Sequence, residues 1–213
     1  YIKLKEDVSA GKQPRMQPEM AKRRIDELTA RLDQRKREIE SMRNVVSSTP
    51  NIIGGSLVIP AGLLAKLSGD TNFSPDAEAR KRVEMVAMNA VIKLEESFGH
   101  KVIDVSAEKC GWDVTARPPI KDGKLFEDRH IEVKGRAKGQ TTITVTANEI
   151  IYALNQKDKF ILAVVIVDGD KHEGPFYIKN PFDREPDFAE ESRNLSLASL
   201  LKISTQPENT LER

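Results

Sequence analysis

Two carboxylates and a lysine are the residues of this chain whose types and spacing could do chemistry. Glu132 and Lys134 stand two positions apart in a run that alternates with apolar residues, so in a strand both share one face. Asp113 belongs to an earlier strand-like run, 111–116, and the Asp-Gly turn signal at 122–123 could fold the two runs together. Such a group can hold Mg²⁺ or Mn²⁺ through carboxylate oxygens, with the lysine aimed at a phosphate or an attacking water.

The sequence around these residues resembles a known family. The matching stretches are Gly111-Trp112-Asp113-Val114, Ile131-Glu132-Val133-Lys134-Gly135 and Thr144-Val145-Thr146-Ala147-Asn148-Glu149. The first two resemble the D…(D/E)-x-K pattern of the PD-(D/E)XK nuclease superfamily. With the third, they resemble the Mrr-like domain named after the plant protein NO VEIN, which is often found at the C-terminus of superfamily-two helicases. The resemblance covers residues 75–182, about half of the chain.

The resemblance implies a metal-dependent DNA endonuclease-like domain. Asp113, Glu132 and Lys134 would be its catalytic residues, with Asp113 and Glu132 as metal ligands. Glu84, on the preceding helix, would complete the ligands, although it also fits an ordinary glutamate of a helix surface. The implied partners are DNA and a helicase module in cis or in trans, and a helicase parent would suggest a role in restriction or antiphage defence. The alternative is a catalytically inactive module with the same fold that binds DNA or a partner.

Further residues could support such a site. Residues 135–139 are predicted to form a flexible basic loop, in which Arg136 and Lys138, between two glycines, could follow a phosphate backbone; Lys124 could do so from a hairpin loop. Either set could equally be solvated surface. On the helix after residue 146, polar side chains lie towards the open side and could support the site: Asn148, Glu149 and Tyr152. For Glu149 the stronger expectation is a capping box with Thr146.

The order of elements predicts an α/β fold. From residue 75 the patterns predict one helix, four strands, a helix and two strands. The family resemblance implies that the strands form a mixed central sheet flanked by helices, as in restriction endonucleases. A long amphipathic helix precedes it. The predicted segments are a linker at 1–16, the long helix and a connecting segment at 17–74, the nuclease-like domain at 75–182 and a polar tail at 183–213.

The long helix, predicted over 17–46, carries apolar residues at a spacing of three and four. It could pair with another helix, including that of a second copy in a homodimer, or lie across a domain. The remaining interpretations are a solvated face with internal ion pairs and a helical arm that touches nucleic acid or a helicase.

Bulk composition sets modest limits on function. The 213 residues carry a formal net charge of +1, so any surface that binds nucleic acid must be local. A single cysteine, Cys110, excludes an internal disulfide framework and a zinc knuckle built from several cysteines. No apolar run reaches the length of a membrane span, and we expect a cytoplasmic protein. Because the chain begins with Tyr1 rather than methionine, we expect a fragment, with a helicase or another module on its N-terminal side.

Overall fold

The structure is a computed structural model of the chain. It describes residues 1–14, 16–44, 46, 49, 51–60, 63–64, 67, 77–108, 110–187 and 190–209. The chain forms two compact units, Tyr1–Asp70 and Thr71–Arg213. The domain boundary predicted between residues 74 and 75 lies outside the described residues. No helix in the described part of the chain is both long enough and apolar enough to cross a membrane.

Among the described residues, the first unit includes the helices α1 (Ile2–Ser9) and α2 (Pro18–Arg43). The prediction of a linker over 1–16 was therefore wrong for the part that forms α1. A helix of eight residues covers little more than two turns, which is too short for an apolar period to show in the sequence. Helix α2 lies within the predicted long helix and begins with Pro18, whose fixed φ suits the first helical position.

The second unit holds the remaining regular elements. In chain order they are α3 (Ala77–Ser97), β1 (Lys101–Asp104), β2 (Val114–Arg117), β3 (Arg129–Ala137), β4 (Thr142–Thr146), α4 (Ala147–Asn155), β5 (Phe160–Asp168), β6 (Lys171–Lys179), β7 (Ser192–Ser196) and α5 (Leu197–Ile203). Five strands form one sheet in the order β1-β2-β3-β5-β6, and β4 pairs with β7 in a separate sheet of two. Strands β3 and β5 are parallel and the other pairs are antiparallel. The predicted mixed α/β fold is confirmed.

Strand β5 separates two hydrophobic cores. Its odd-numbered residues 161–167 pack towards α3, and its even-numbered residues 160–164 pack towards β4, α4 and α5. This burial on both faces explains why β5 is apolar almost throughout. Helix α3 approaches β3 so closely at Gly135 that an added Cβ would lie 2.9 Å from the Ala87 Cβ and from the Val83 carbonyl oxygen. The Gly135 position therefore fixes how near α3 lies to the sheet.

The segment after residue 182 takes part in the fold. The region predicted as a polar tail, with one short helix at 195–201, packs into the second core: β7 pairs with β4, and Leu197 and Leu200 of α5 are buried there. Thr205 also exchanges backbone hydrogen bonds with Tyr177 at the end of β6. Strand β7 is short, and its partner β4 lies about fifty residues upstream, so local periodicity did not reveal the pairing.

Candidate metal centre

Asp113 is held against β3 by its backbone and by its side chain. Its N–H donates to the Ile131 carbonyl at 3.0 Å, and its Oδ2 accepts from the Val133 N–H at 2.9 Å. Asp113 precedes β2, which begins only at Val114, so the strand predicted over 111–116 starts later than expected. Gly111 adopts a φ of +102°, a conformation that favours glycine, and the chain becomes extended only after this bend.

Glu132 and Lys134 lie on one face of β3, opposite Ile131 and Val133, which pack on the α3 side. The Lys134 Nζ is 2.7 Å from Glu132 Oε1 and 2.9 Å from Glu149 Oε2. Glu132 is buried, with 4% of its surface exposed, and Lys134 is partly buried. The lysine therefore joins β3 to α4.

Glu149 has two roles at once. The predicted capping box of α4 is confirmed: Thr146 Oγ1 accepts from the Glu149 N–H, and Glu149 Oε2 accepts from the Thr146 N–H at 3.0 Å. The same Oε2 contacts Lys134. The cap thus fixes the helix start at the place where its carboxylate meets the lysine.

The cluster of Asp113, Glu132, Lys134 and Glu149 carries three carboxylates and one ammonium. Burial raises the pKa of Glu132 to about 8, and the charges of Asp113 and Glu149 add to this rise, although Lys134 opposes it. Burial also raises the pKa of Asp113, against the lowering effects of the Val133 N–H and Lys134. Burial lowers the pKa of Lys134, but its two glutamate partners outweigh this effect and raise it. The site therefore has an excess of negative charge that a cation would relieve.

The oxygen donors fit Mg²⁺ or Mn²⁺, which bind one or two carboxylates and retain several waters. The described residues contain no group of three or more His, Cys, Asp or Glu arranged to hold a metal ion. A metal here would rest mainly on Asp113 and Glu132. The structure does not bring Glu84 into a ligand group with them: this residue is exposed on α3, which packs on the sheet face opposite Glu132. The charge of Glu84 acts instead on Arg136.

The three side chains predicted to contact phosphate differ in their exposure and in their partners within the chain. Arg136 lies within β3, so the flexible loop predicted around it was wrong for this residue, and its guanidinium donates to the carbonyls of Thr142 and Gly135 at 2.9 and 2.7 Å. Lys138 lies in the following turn and forms an exposed ion pair with Asp168 at 2.8 Å. Lys124 is exposed in the hairpin turn 121–124.

Beside the charged residues lies a row of stacked aromatic rings. Trp112 stacks on His130 and on Tyr152, with 4.4 Å between ring centroids in each pair, and His130 Nδ1 is hydrogen-bonded to the Tyr152 hydroxyl. Among the predicted supporting residues, Tyr152 contacts His130 and Trp112, and Asn148 is exposed on α4. Sequence reasoning missed this row. The signal was present, because His130 is two residues from Glu132 on one strand and Tyr152 three from Glu149 on one helix.

A second ionisable cluster lies on the other face of the sheet and was also missed. The buried Glu95 of α3 accepts from the Tyr177 hydroxyl at 2.7 Å and pairs with Arg129 at 3.2 Å. His100 Nδ1 lies 2.6 Å from its other carboxylate oxygen. Arg129 also donates to the Glu208 carbonyl. Arg129 and Tyr177 are far from Glu95 in sequence, so no local pattern predicts these two contacts.

One family comparison bears on this site. Residues 83–178 match the family model described as "Protein NO VEIN, C-terminal". The matched segment runs from within α3 to the end of β6 and includes all four members of the charged cluster. No curated protein and no solved structure matches the chain.

Proposed function

We propose that the second unit is a metal-dependent DNA endonuclease-like domain that hydrolyses phosphodiester bonds. The observation that carries this proposal is the charge imbalance of the cluster, in which Lys134 alone faces the carboxylates of Asp113, Glu132 and Glu149. Burying carboxylates with too few partners is costly, and such costs are characteristic of sites that bind a cation or perform chemistry. The match over residues 83–178 gives the cluster a family context.

Each residue would have a separate role. Asp113 and Glu132 would hold the ion, and the Val133 N–H would orient the Asp113 carboxylate by occupying Oδ2. Bound Mg²⁺ or Mn²⁺ would neutralise charge on the phosphate and lower the pKa of an attacking water. Lys134 would stabilise the phosphate charge or position the water, and Glu149 would hold the lysine in place.

Contacts to DNA would come from exposed cations at the two ends of β3, one in the hairpin turn before the strand and one in the turn after it. Lys124 and Lys138 are exposed, whereas Arg136 is bound to two backbone carbonyls and braces β3 against residue 142. We therefore assign phosphate contacts first to the two lysines and a mainly positioning role to Arg136. As the family resemblance implies, the domain would serve a helicase module, in cis or in trans, within a restriction or antiphage system.

The test is a calorimetric titration with Mg²⁺ and Mn²⁺, combined with a DNA cleavage assay in the same buffers. Asp113→Asn keeps an oxygen that can accept from Val133 but removes the charge. Asp170→Asn, in the exposed turn after β5, is the matched control. We expect metal binding and cleavage in the unaltered chain and the control, and neither in Asp113→Asn, with circular dichroism unchanged in all three.

The second candidate is a binding module that keeps the fold without the reaction. It is favoured by the pKa of about 8 for Glu132, because a protonated Glu132 would remove one negative charge from the cluster without a metal. DNA binding by the unaltered chain with no calorimetric signal from either metal would support this candidate and refute the nuclease.

A further inference from the structure

Helix α2 presents an exposed apolar seam with a seven-residue repeat. Its members are between 37% and 54% exposed, and they are Ile25, Leu28, Leu32, Ile39 and Met42. The spacing of three and four places them at the a and d positions of a coiled coil, with Arg35 at one d position. Arg35 is partly buried and forms an ion pair with Glu38 at 3.1 Å. The seam thus has the pattern of a coiled-coil helix whose apolar side chains remain about half exposed.

Charges on α2 are segregated around this seam. The flanking e and g positions carry five cations and one anion, namely Lys22, Arg24, Arg31, Lys36 and Arg43 against Glu38. The outer b and c positions carry the other acidic residues of the helix: Glu19, Asp26, Glu27, Asp33 and Glu40. A partner helix in a coiled coil meets the e and g residues, so it would meet a strongly basic border.

We propose that α2 pairs with an acidic amphipathic helix of another protein. The apolar seam would supply burial, the basic flanks would select glutamate or aspartate at the facing positions, and Arg35 would take a carboxylate within the core. This charge pattern does not suit a second copy of the chain. In a parallel pair two Arg35 residues would meet in the core, and in an antiparallel pair the e positions, mostly cationic, would face one another. The homodimer expected from the sequence is therefore disfavoured by charge.

DNA is a poorer occupant of this surface than a helix. Phosphates would contact the basic flanks but would leave the row of isoleucine and leucine side chains in contact with water. A helix with its own apolar seam covers both features at once. The combination of an apolar stripe and a basic border, rather than either feature alone, identifies the class of partner.

The experiment uses the full 213-residue chain and two labelled synthetic peptides. Both peptides are four heptads long with leucine at a and d; one carries glutamate at every e and g position, and the other carries lysine. Binding is followed by fluorescence anisotropy at low and high salt. We expect the glutamate peptide to bind at least about tenfold more tightly than the lysine peptide, and the difference to shrink as salt increases.

Two variants separate seam binding from a general charge effect. Leu32→Asp introduces an anion into the seam, whereas Ala30→Asp introduces the same anion on the outer face of α2. We expect the first to abolish binding of the glutamate peptide and the second to retain it. Three results would each overturn the proposal: equal binding of both peptides, self-association of the chain in sedimentation at concentrations where neither peptide binds, or a loss of duplex DNA binding in Leu32→Asp with peptide binding unchanged.

Discussion

Two ionisable clusters lie on opposite faces of the same sheet and differ in their ratio of carboxylates to their partners. On the α3 face, the single carboxylate of Glu95 faces His100, Arg129 and Tyr177, so donors outnumber acceptors. On the α4 face, the single ammonium of Lys134 faces three carboxylates. The first arrangement satisfies a buried charge, and the second leaves negative charge in excess.

Under the proposed function, the Glu95 cluster serves stability and the Lys134 cluster serves metal binding. Glu95 joins α3, the start of β3 and β6, and Arg129 extends the network to the Glu208 carbonyl. Both oxygens of the buried Glu95 carboxylate have partners, and such contacts fix the packing of elements that are distant in sequence. The cluster around Lys134 gains less from its own contacts than a balanced set would, because like charges repel there. Retaining it makes physical sense if a cation completes it.

The largest loss of stability should come from breaking the cluster around Glu95. Glu95→Gln keeps the size of the side chain but leaves the buried guanidinium of Arg129 without a counter-charge, so we expect the free energy of unfolding to fall by about 3 kcal/mol. Urea denaturation measures this change. Glu96→Gln, at the exposed neighbouring position, is the control and should stay within about 0.5 kcal/mol. An equal effect in both variants would contradict a stabilising role for the network.

A smaller loss in the free energy of unfolding should follow removal of the Lys134 ammonium from the cluster of three carboxylates. Lys134→Met leaves three carboxylates together, but protonation of Glu132 limits the resulting repulsion. We therefore expect a loss of about 2 kcal/mol near neutral pH, and a smaller loss at lower pH. Lys179→Met, exposed on β6, is the matched control. If the stability difference between Lys134→Met and the unaltered chain did not shrink on acidification, the account of excess negative charge would be wrong.

The pH dependence of Glu132 should affect both the stability of the metal-free chain and its affinity for Mg²⁺. Because its pKa is raised in the folded protein, the metal-free chain should lose stability as the pH rises from about 4.5 to about 8. Metal binding needs the ionised carboxylate, so the affinity for Mg²⁺ should rise over the same range, by up to about tenfold per pH unit. Urea midpoints and calorimetry at pH 6, 7 and 8 measure the two trends.

Glu132→Gln serves as the control for this comparison. It should bind no metal at any pH and should lack the part of the stability profile due to Glu132, while remaining about as stable as the unaltered chain below neutral pH. A metal affinity that does not change between pH 6 and 8 would remove Glu132 from the ligands.

Much of the charged cluster was accessible from the sequence because it depends on local periodicity. The alternation along β3 placed Glu132 and Lys134 on one face, and the spacing of Thr146 and Glu149 predicted the start of α4. The contact between Glu149 and Lys134 could not be predicted in this way. It depends on where α4 lies after β4 leaves the main sheet to pair with β7, and that pairing spans about fifty residues.

The sequence by itself determined the class of fold, the long helix and the face of β3 on which chemistry could occur, because each follows from the repeat of a single strand or helix. Only the tertiary structure decided which charges meet: that Glu84 stays outside the cluster, that Arg136 is bound by backbone carbonyls, and that Glu95 gathers donors from residues up to 82 positions away. The physical reason is the same in each case. Side-chain periodicity is set by the backbone within an element, whereas the balance of buried charge is set by packing between elements.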